Sequence, residues 1–182
     1  MPATPADLFA CLERLGIATT TVEHPPLFTV EQSRALRGEI AGGHTKNLFL
    51  KDKKDAVFLV VAEEDAEIDM KSLNKAIGSA RLSFGKPDLL AGLLGLVPGS
   101  VTPFGAINDT LGRVSIILDA GLMRHARLNF HPLVNTATTS IGHDDLIAFL
   151  RHTGHEPAIL PLAPAASDNR AAGLESRPER AT

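Results

Sequence analysis

The chain has 182 residues, of which 44% are hydrophobic and 21% are charged, with a formal net charge of −3. This length and balance predict one globular domain and exclude a wholly disordered chain. The single cysteine excludes an internal disulfide and a metal site built from thiolates alone. Because no apolar run is long enough to cross a membrane and no secretory signal is apparent, we expect a cytoplasmic protein.

The overall charge is not typical of a nucleic-acid-binding protein. The absence of Trp and Tyr also argues against a binding platform made of several exposed rings. Basic residues are nevertheless clustered locally, and a protein that contacts only one end of a nucleic acid needs few phosphate contacts. The two clusters are Lys46, Lys51, Lys53 and Lys54, and Lys71, Lys75, Arg81 and Lys86. A solvated basic face is the alternative interpretation.

The first third of the chain predicts a helix, a strand, a short helix and a hairpin. Thr4 before Pro5 is typical of a helix start, and Gly16 is expected to end that helix. Residues 17–22 are rich in β-branched side chains and predict a strand, and residues 29–38 begin with capping-box spacing that predicts a second helix. Alternating apolar residues in 47–51 and the apolar run 56–61 predict a hairpin. Lys46 is expected where a loop enters this hairpin.

The remaining elements follow from caps, apolar spacing and β-branched runs. We predict helices over 69–78, 87–94 and 143–152, and strands over 81–84, 114–118, 128–130, 137–141 and 157–162. Asp119 is expected to cap a turn of helix after the strand that precedes it. From Ala163 the composition loses periodicity, so residues 163–182 are expected to be a disordered tail. Helices interspersed among short strands predict an α+β domain over residues 1–162.

Two features of the sequence suggest chemistry independently of any similarity to known proteins. A cation at the mouth of a sheet, such as Lys46, is suited to a phosphate or a developing oxyanion, although most lysines are simply exposed. In the loop 99–105, Gly99 permits close approach of a ligand and Pro103 fixes the chain, so amides between them can face a carbonyl oxygen. A plain tight connection is equally compatible with that loop. No spacing of His, Cys, Asp and Glu predicts a metal site.

Four segments together resemble the YbaK-type prolyl-tRNA editing superfamily, in order and in spacing. They are residues 24–31 (HPPLFTVE), 42–51 (GGHTKNLFLK), 99–105 (GSVTPFG) and 129–136 (NFHPLVNT). The similarity covers about residues 5 to 162. Within the superfamily, the second and fourth segments are most similar to the free-standing deacylases that remove alanine from mischarged proline tRNA.

The resemblance implies a curved, mixed sheet wrapped by helices, with the site in a cleft along one sheet edge. It implies that Lys46 anchors the terminal phosphate or ribose or stabilises the oxyanion, and that His131 orients water or the substrate amine. It implies hydrolysis of the aminoacyl ester by water without a metal or other cofactor, with the alanine-bearing acceptor end of tRNA(Pro) as partner. For His131 the alternative is a core histidine whose ring is satisfied by the backbone.

Further residues are assigned to the substrate with this resemblance in view. The substrate-binding set is Asn47, Gly99, Ser100, Val101, Thr102, Pro103, Val30 and Phe130. Contacts to tRNA are expected from Lys51, Lys53, Lys54 and Arg81. Three alternatives remain at this point: a deacylase for cysteinyl-tRNA(Pro), a non-catalytic module that binds acceptor ends or a protein, and a general esterase.

Overall fold

A computed structural model describes residues 1–26, 35 and 40–162, and every structural statement below concerns these residues. The helix predicted over 29–38, which includes Val30, and the tail predicted over 163–182 therefore lie outside the described residues. No helix in the described ranges is long and apolar enough to cross a membrane.

Four α-helices form where caps and apolar spacing predict them. They are α1 (Pro5–Arg14), α2 (Met70–Ile77), α3 (Pro87–Leu94) and α4 (His143–His152). The capping box of α1 is complete, since Thr4 Oγ1 accepts from the Asp7 amide and the Asp7 carboxylate accepts from the Thr4 amide. Gly78 and Gly95 end α2 and α3 in the left-handed conformation.

Eight strands in the described ranges form one mixed sheet. They are β1 (Thr19–Glu23), β2 (Gly43–Asp52), β3 (Val57–Glu63), β4 (Leu82–Phe84), β5 (Val114–Asp119), β6 (Arg127–Phe130), β7 (Ala137–Gly142) and β8 (Ala158–Leu160). Their order is β1-β7-β6-β2-β3-β5-β8, and β4 pairs with β2 beside this path. The pairs β2–β6, β3–β5 and β5–β8 are parallel and the others are antiparallel. The α+β prediction is confirmed.

The sheet carries a hydrophobic core on each face. Successive residues of a strand point to opposite faces, and β3 shows this directly, because Leu59 packs in the larger core and Val60 in the smaller one. Helices α1, α3 and α4 cover the larger core, whereas Leu73 of α2 packs in the smaller core. The domain is therefore layered, with the sheet between helices.

Two local predictions are corrected. Strand β2 begins at Gly43, so Lys46 lies inside the strand opposite Ala62 of β3, not in the loop before it. Asp119 does not cap a helix: its buried carboxylate accepts from the Leu162 amide at 2.9 Å, and the short 3₁₀ helix Leu122–Arg124 begins at Gly121 without a side-chain cap. The sequence pattern does not reveal this long-range partner.

One edge of β2 has a gap that positions the candidate site. β2 pairs there with β6 only through Gly43 and His44, and then with β4 only from Leu50 to Asp52. Between these pairings no described strand pairs with that edge of β2. The interval holds Lys46 and Asn47, so an extended ligand has backbone and side-chain groups to meet there.

Candidate active site

Lys46 is held at the open edge of β2 by a bond to the main chain. The residue is partly buried, and its Nζ donates to the carbonyl oxygen of Ala66, in the segment that follows β3. An ammonium group has three N–H donors, so this bond orients the group without using all of them. Strand alternation places Lys46 on the face of Leu48 and Leu50, which pack in the smaller core.

Asn47 lies on the opposite face, beside a small cavity. The cavity has a volume of about 180 Å³. Its lining consists of Asn47, Phe49, Phe84, Gly85, Pro87, Leu90, Pro98, Gly99 and Val101. Asn47 Oδ1 is shielded from solvent, and among the described residues it has no hydrogen-bond partner. A buried amide oxygen without a donor is costly to the folded protein, and Asn129 Oδ1 is a second such atom among the described residues; Asn47 differs from it in lining the cavity.

In the loop predicted to bind substrate, some residues line the cavity and others hold the loop in place. Gly99 and Val101 line the cavity with Asn47, and Gly99 has φ of +91°, which favours glycine. Ser100 is corrected to a supporting role, because its amide and its hydroxyl both donate to the Val97 carbonyl. Thr102 is fully buried, and its hydroxyl accepts from the Phe104 amide.

Pro103 is also buried, as the first residue of a 3₁₀ helix (Pro103–Asn108), so it supports the loop without lining the cavity. Phe130 is corrected in the same way. It is 2% exposed and packs edge-on against Phe104, with ring centroids 5.7 Å apart. Its side chain belongs to the larger core and is not available to a ligand.

His131 follows β6 directly and sits next to a second histidine. Its Nδ1 lies 2.9 Å from the Ala137 carbonyl oxygen, which can only accept, so Nδ1 carries the hydrogen and Nε2 is the acceptor. The ring centroids of His131 and His24 are 6.1 Å apart. Extending the β2–β6 register by two residues brings His131 level with Lys46. The alternative interpretation, a core histidine whose ring bonds to the backbone, therefore holds for Nδ1 and not for Nε2.

Burial lowers the pKa of His131 below its ordinary value of 6.5; the Ala137 carbonyl opposes this shift and His24 adds to it. The folded protein therefore binds this proton less readily than the unfolded chain, and the ring is neutral at pH 7. If neutral His131 is required, the rate should stay level down to about pH 6.5 and fall only at lower pH.

The measurement is kcat/KM for ester hydrolysis between about pH 5 and 8, with the uncatalysed rate subtracted. His24→Asn should move the fall to higher pH, because it removes the neighbouring ring that lowers the pKa of His131. A profile centred above pH 6.5, or one unchanged in His131→Asn, would refute a role for neutral His131.

The residues predicted to contact tRNA gather at the far end of β2. Lys51, Lys53 and Lys54 surround the β2–β3 turn, and the Arg81 carbonyl accepts from the Lys53 amide at 3.2 Å. Lys51 pairs with Asp55 at 2.5 Å. The turn lies five to eight residues along the strand from Lys46, roughly 15–25 Å. These groups are placed to meet a long ligand, not the reacting atoms.

In the part of the chain that the structure describes, no group of three or more His, Cys, Asp and Glu side chains is arranged to hold a metal ion. Polar groups at the gap are instead an ammonium, an imidazole, an amide and loop backbone. Such groups bind and polarise an acyl group through hydrogen bonds and charge.

The fold agrees with the comparisons with known proteins. Residues 24–149 match the family described as "Aminoacyl-tRNA editing domain". The chain belongs to this family, in the YbaK and ProX superfamily, and it is an aminoacyl-tRNA deacylase by class.

Two relatives and one solved structure illustrate the similarity. The chain is 40% identical over 156 residues to "Prolyl-tRNA synthetase associated domain-containing protein 1" of Danio rerio, covering 85% of each chain. It is 37% identical over 149 residues to "Prolyl-tRNA editing protein ProX" of Acetoanaerobium sticklandii, covering 81% of this chain and 91% of that protein. A crystal structure provisionally described as a trans-editing enzyme for prolyl tRNA synthetase superposes with a TM-score of 0.66 at 21% identity, covering 88% and 98%.

Sequence reasoning missed the wall of the cavity. Phe49, Phe84 and Pro98 line it together with the predicted residues, but each lies in a different element. Their apolar character predicted only strand or loop membership. The cavity is defined by the proximity of these residues in the folded chain, which exists only in three dimensions.

Proposed function

We propose that this protein is a free-standing editing hydrolase that removes alanine from mischarged alanyl-tRNA(Pro). The observation that carries the proposal is the cavity of about 180 Å³ in which Asn47 Oδ1 has no partner among the described residues. An alanyl ester has one strong donor, its α-ammonium group, next to a single methyl group. An unpaired acceptor against an apolar wall suits that pair of groups.

The reaction needs positioning and charge stabilisation more than a protein nucleophile. Water adds to the ester carbonyl carbon, the bond to the ribose oxygen breaks, and a proton passes to that oxygen to give free alanine and tRNA. A neighbouring ribose hydroxyl of the substrate helps to activate the water. The ester is already activated, so holding it beside a cation and oriented amides supplies the main acceleration.

The residues around the open edge of β2 have different roles, which follow from their positions. Lys46 reaches the ester or the terminal phosphate from one face of the strand, and Asn47 reaches the amino acid from the other. Neutral His131 accepts at Nε2 from the attacking water or the substrate amine. Gly99 and Val101 offer backbone groups from the facing loop.

Exclusion by size is the proposed basis of the preference for alanine; it requires the rest of the substrate to fill most of the cavity, whose volume of about 180 Å³ would by itself admit a cysteinyl side chain. A small cavity rejects larger side chains through steric clash, whereas gaining affinity from one methyl group is worth only about 1 kcal/mol. The cysteinyl ester, one sulfur atom larger, is the nearest competitor and remains the second candidate substrate.

The test is deacylation of four labelled substrates: alanyl-tRNA(Pro), cysteinyl-tRNA(Pro), prolyl-tRNA(Pro) and alanyl-tRNA(Ala). We expect fast loss of alanine from tRNA(Pro) and slow loss from the other three. A preference for the cysteinyl substrate would keep the reaction class and overturn the size argument. Equal activity on the alanyl esters of both tRNAs would indicate a general esterase and overturn the tRNA(Pro) assignment.

Replacing Asn47 by alanine should lower kcat/KM for alanyl-tRNA(Pro) roughly 10- to 100-fold, the loss expected for one hydrogen bond to a charged group. The free energy of unfolding should fall little, because Oδ1 has no described partner and Nδ2 loses only a long contact of 3.5 Å to Thr45 Oγ1. Kinetics and urea denaturation of the same variant check both statements.

The matched control for that variant is Asn129→Ala. Asn129 Nδ2 donates to the Ala41 carbonyl at 3.2 Å, so this substitution should lower stability. If Asn47→Ala kept full activity, the cavity would not be the amino-acid site.

A further inference from the structure

Phe84 is an aromatic ring left on the surface. It is 68% exposed, whereas Phe49, Phe104 and Phe130 are buried. Among the Phe residues that the structure describes, Phe84 alone is classed as exposed. A single exposed apolar residue is ordinary, so its surroundings decide whether it has a role.

The ring is presented by a rigid strand. Phe84 ends β4 opposite Leu50 of β2, and the next amide, that of Gly85, donates to the Phe49 carbonyl at 2.9 Å. Gly85 packs so close to the Phe49 ring that a Cβ there would lie 2.4 Å from it. Before β4, the Ala80 amide donates to the buried Asp52 carboxylate at 3.0 Å. Both ends of β4 are therefore fixed to β2.

Phe84 is continuous with the candidate site. It lines the same cavity as Asn47, Gly99 and Val101. Its partner Leu50 lies four residues along β2 from Lys46, roughly 13 Å. This distance exceeds the length of one nucleoside. A substrate whose terminal nucleoside lies near Lys46 would therefore reach Phe84 with the adjacent nucleotide.

The charges around Phe84 favour a nucleic acid over a protein. Arg81 and Lys86 are exposed on either side of it in sequence, and Lys53 is joined to Arg81 through the main chain. Sites for single-stranded nucleic acids combine an aromatic ring with basic groups that follow the phosphates. The centres of protein interfaces are instead depleted of lysine.

We propose that Phe84 stacks on the unpaired nucleotide that precedes the terminal adenosine of the acceptor end, with Arg81 and Lys86 meeting its phosphates. The inference rests on the proposed function and adds a binding site for a second nucleotide. It is compatible with the composition argument against a platform of several rings, because one ring suffices for one base.

The test compares two non-hydrolysable ligands by calorimetry or fluorescence: alanyl-adenosine with an amide in place of the ester, and the same compound extended by a 5′-cytidylyl group. Phe84→Ala should weaken binding of the dinucleotide roughly 5- to 100-fold more than binding of the mononucleotide, which meets Phe84 only at the cavity wall. Phe84→Trp should restore dinucleotide binding. Arg81→Gln should weaken the dinucleotide and reduce the salt dependence of its binding.

The matched control is Leu111→Ala, since Leu111 is 81% exposed and does not line this cavity. Equal weakening of both ligands by Phe84→Ala would overturn the assignment to the second nucleotide. Unchanged binding of both would overturn stacking and leave Phe84 as a contact for another protein. Failure of the wild type to bind either ligand would refute the proposed function itself and this inference with it.

Discussion

Replacing Lys46 by alanine should lower the rate of alanyl-tRNA(Pro) deacylation about 100- to 1,000-fold, the usual loss when one group that stabilises a developing oxyanion is removed. The ammonium is fixed by the Ala66 carbonyl at the one stretch of β2 that no described strand covers on that edge. Because the residue is partly exposed, the variant should fold normally. Single-turnover deacylation with excess enzyme measures the effect on the chemical step.

The matched control for Lys46 is another lysine of the same strand. Lys51 pairs with Asp55 at the far end of β2, and Lys51→Ala should change the rate of bound substrate by less than about threefold. Both substitutions remove one positive charge. A difference between their deacylation rates therefore reports the position of the lysine and not the loss of a charge. Equal rates for Lys46→Ala and wild type would remove Lys46 from the reaction.

Replacing Asp109 by alanine should lower the free energy of unfolding by about 2–5 kcal/mol, because it leaves two buried donors, His155 Nε2 and the Val114 amide, without their acceptor. Asp109 Oδ2 lies 3.0 Å from His155 Nε2 and accepts from the Val114 amide at 2.7 Å, and both side chains of the pair are nearly inaccessible. The contact joins the end of the 3₁₀ helix to the start of β5 and the segment after α4. Urea denaturation measures the loss.

The pH dependence of this pair has a definite sign. Burial alone would raise the pKa of the Asp109 carboxyl, but hydrogen bonds from His155 and the backbone lower it overall. The stabilisation is therefore present above the unfolded pKa, near 3.8, and is lost as pH falls below it.

The exposed Asp144→Ala is the control for Asp109→Ala and should change stability by under about 1 kcal/mol. Replacing both Asp109 and His155 by leucine should cost less than Asp109→Ala alone. A double variant less stable than the single one would contradict the electrostatic account.

Local signals in the sequence predicted the helices well. Thr4 and Asp69 begin α1 and α2 through side-chain hydrogen bonds within one turn, and Pro87 suits the first turn of α3 through its fixed φ, which is why sequence alone identifies these starts. The parallel pairing of β2 with β6 was not predicted, since its partners are more than 80 residues apart. That pairing creates the gap on the edge of β2, so the position of the site could not be predicted from local sequence patterns.

The roles of the candidate site residues stay predictions, but the structure shows where each residue lies. Lys46, Asn47, Gly99 and His131 come from motifs, and the structure places them around the gap or the adjoining cavity. Phe130 was assigned to the substrate because it lies in a segment that resembles the family, but strand alternation turns its side chain into the larger core. Small polar residues such as Ser100 can bond locally or to a ligand, and sequence does not distinguish the two.

The central claim is that substrate lies along the uncovered edge of β2. The most direct measurement is amide chemical-shift mapping by NMR with the non-hydrolysable alanyl-adenosine analogue. The account predicts shifts concentrated in residues 44–48, 99–102 and 130–132. Shifts confined instead to the open groove beside Glu23 and Thr136, about 620 Å³ in volume, would place the substrate elsewhere and contradict the claim.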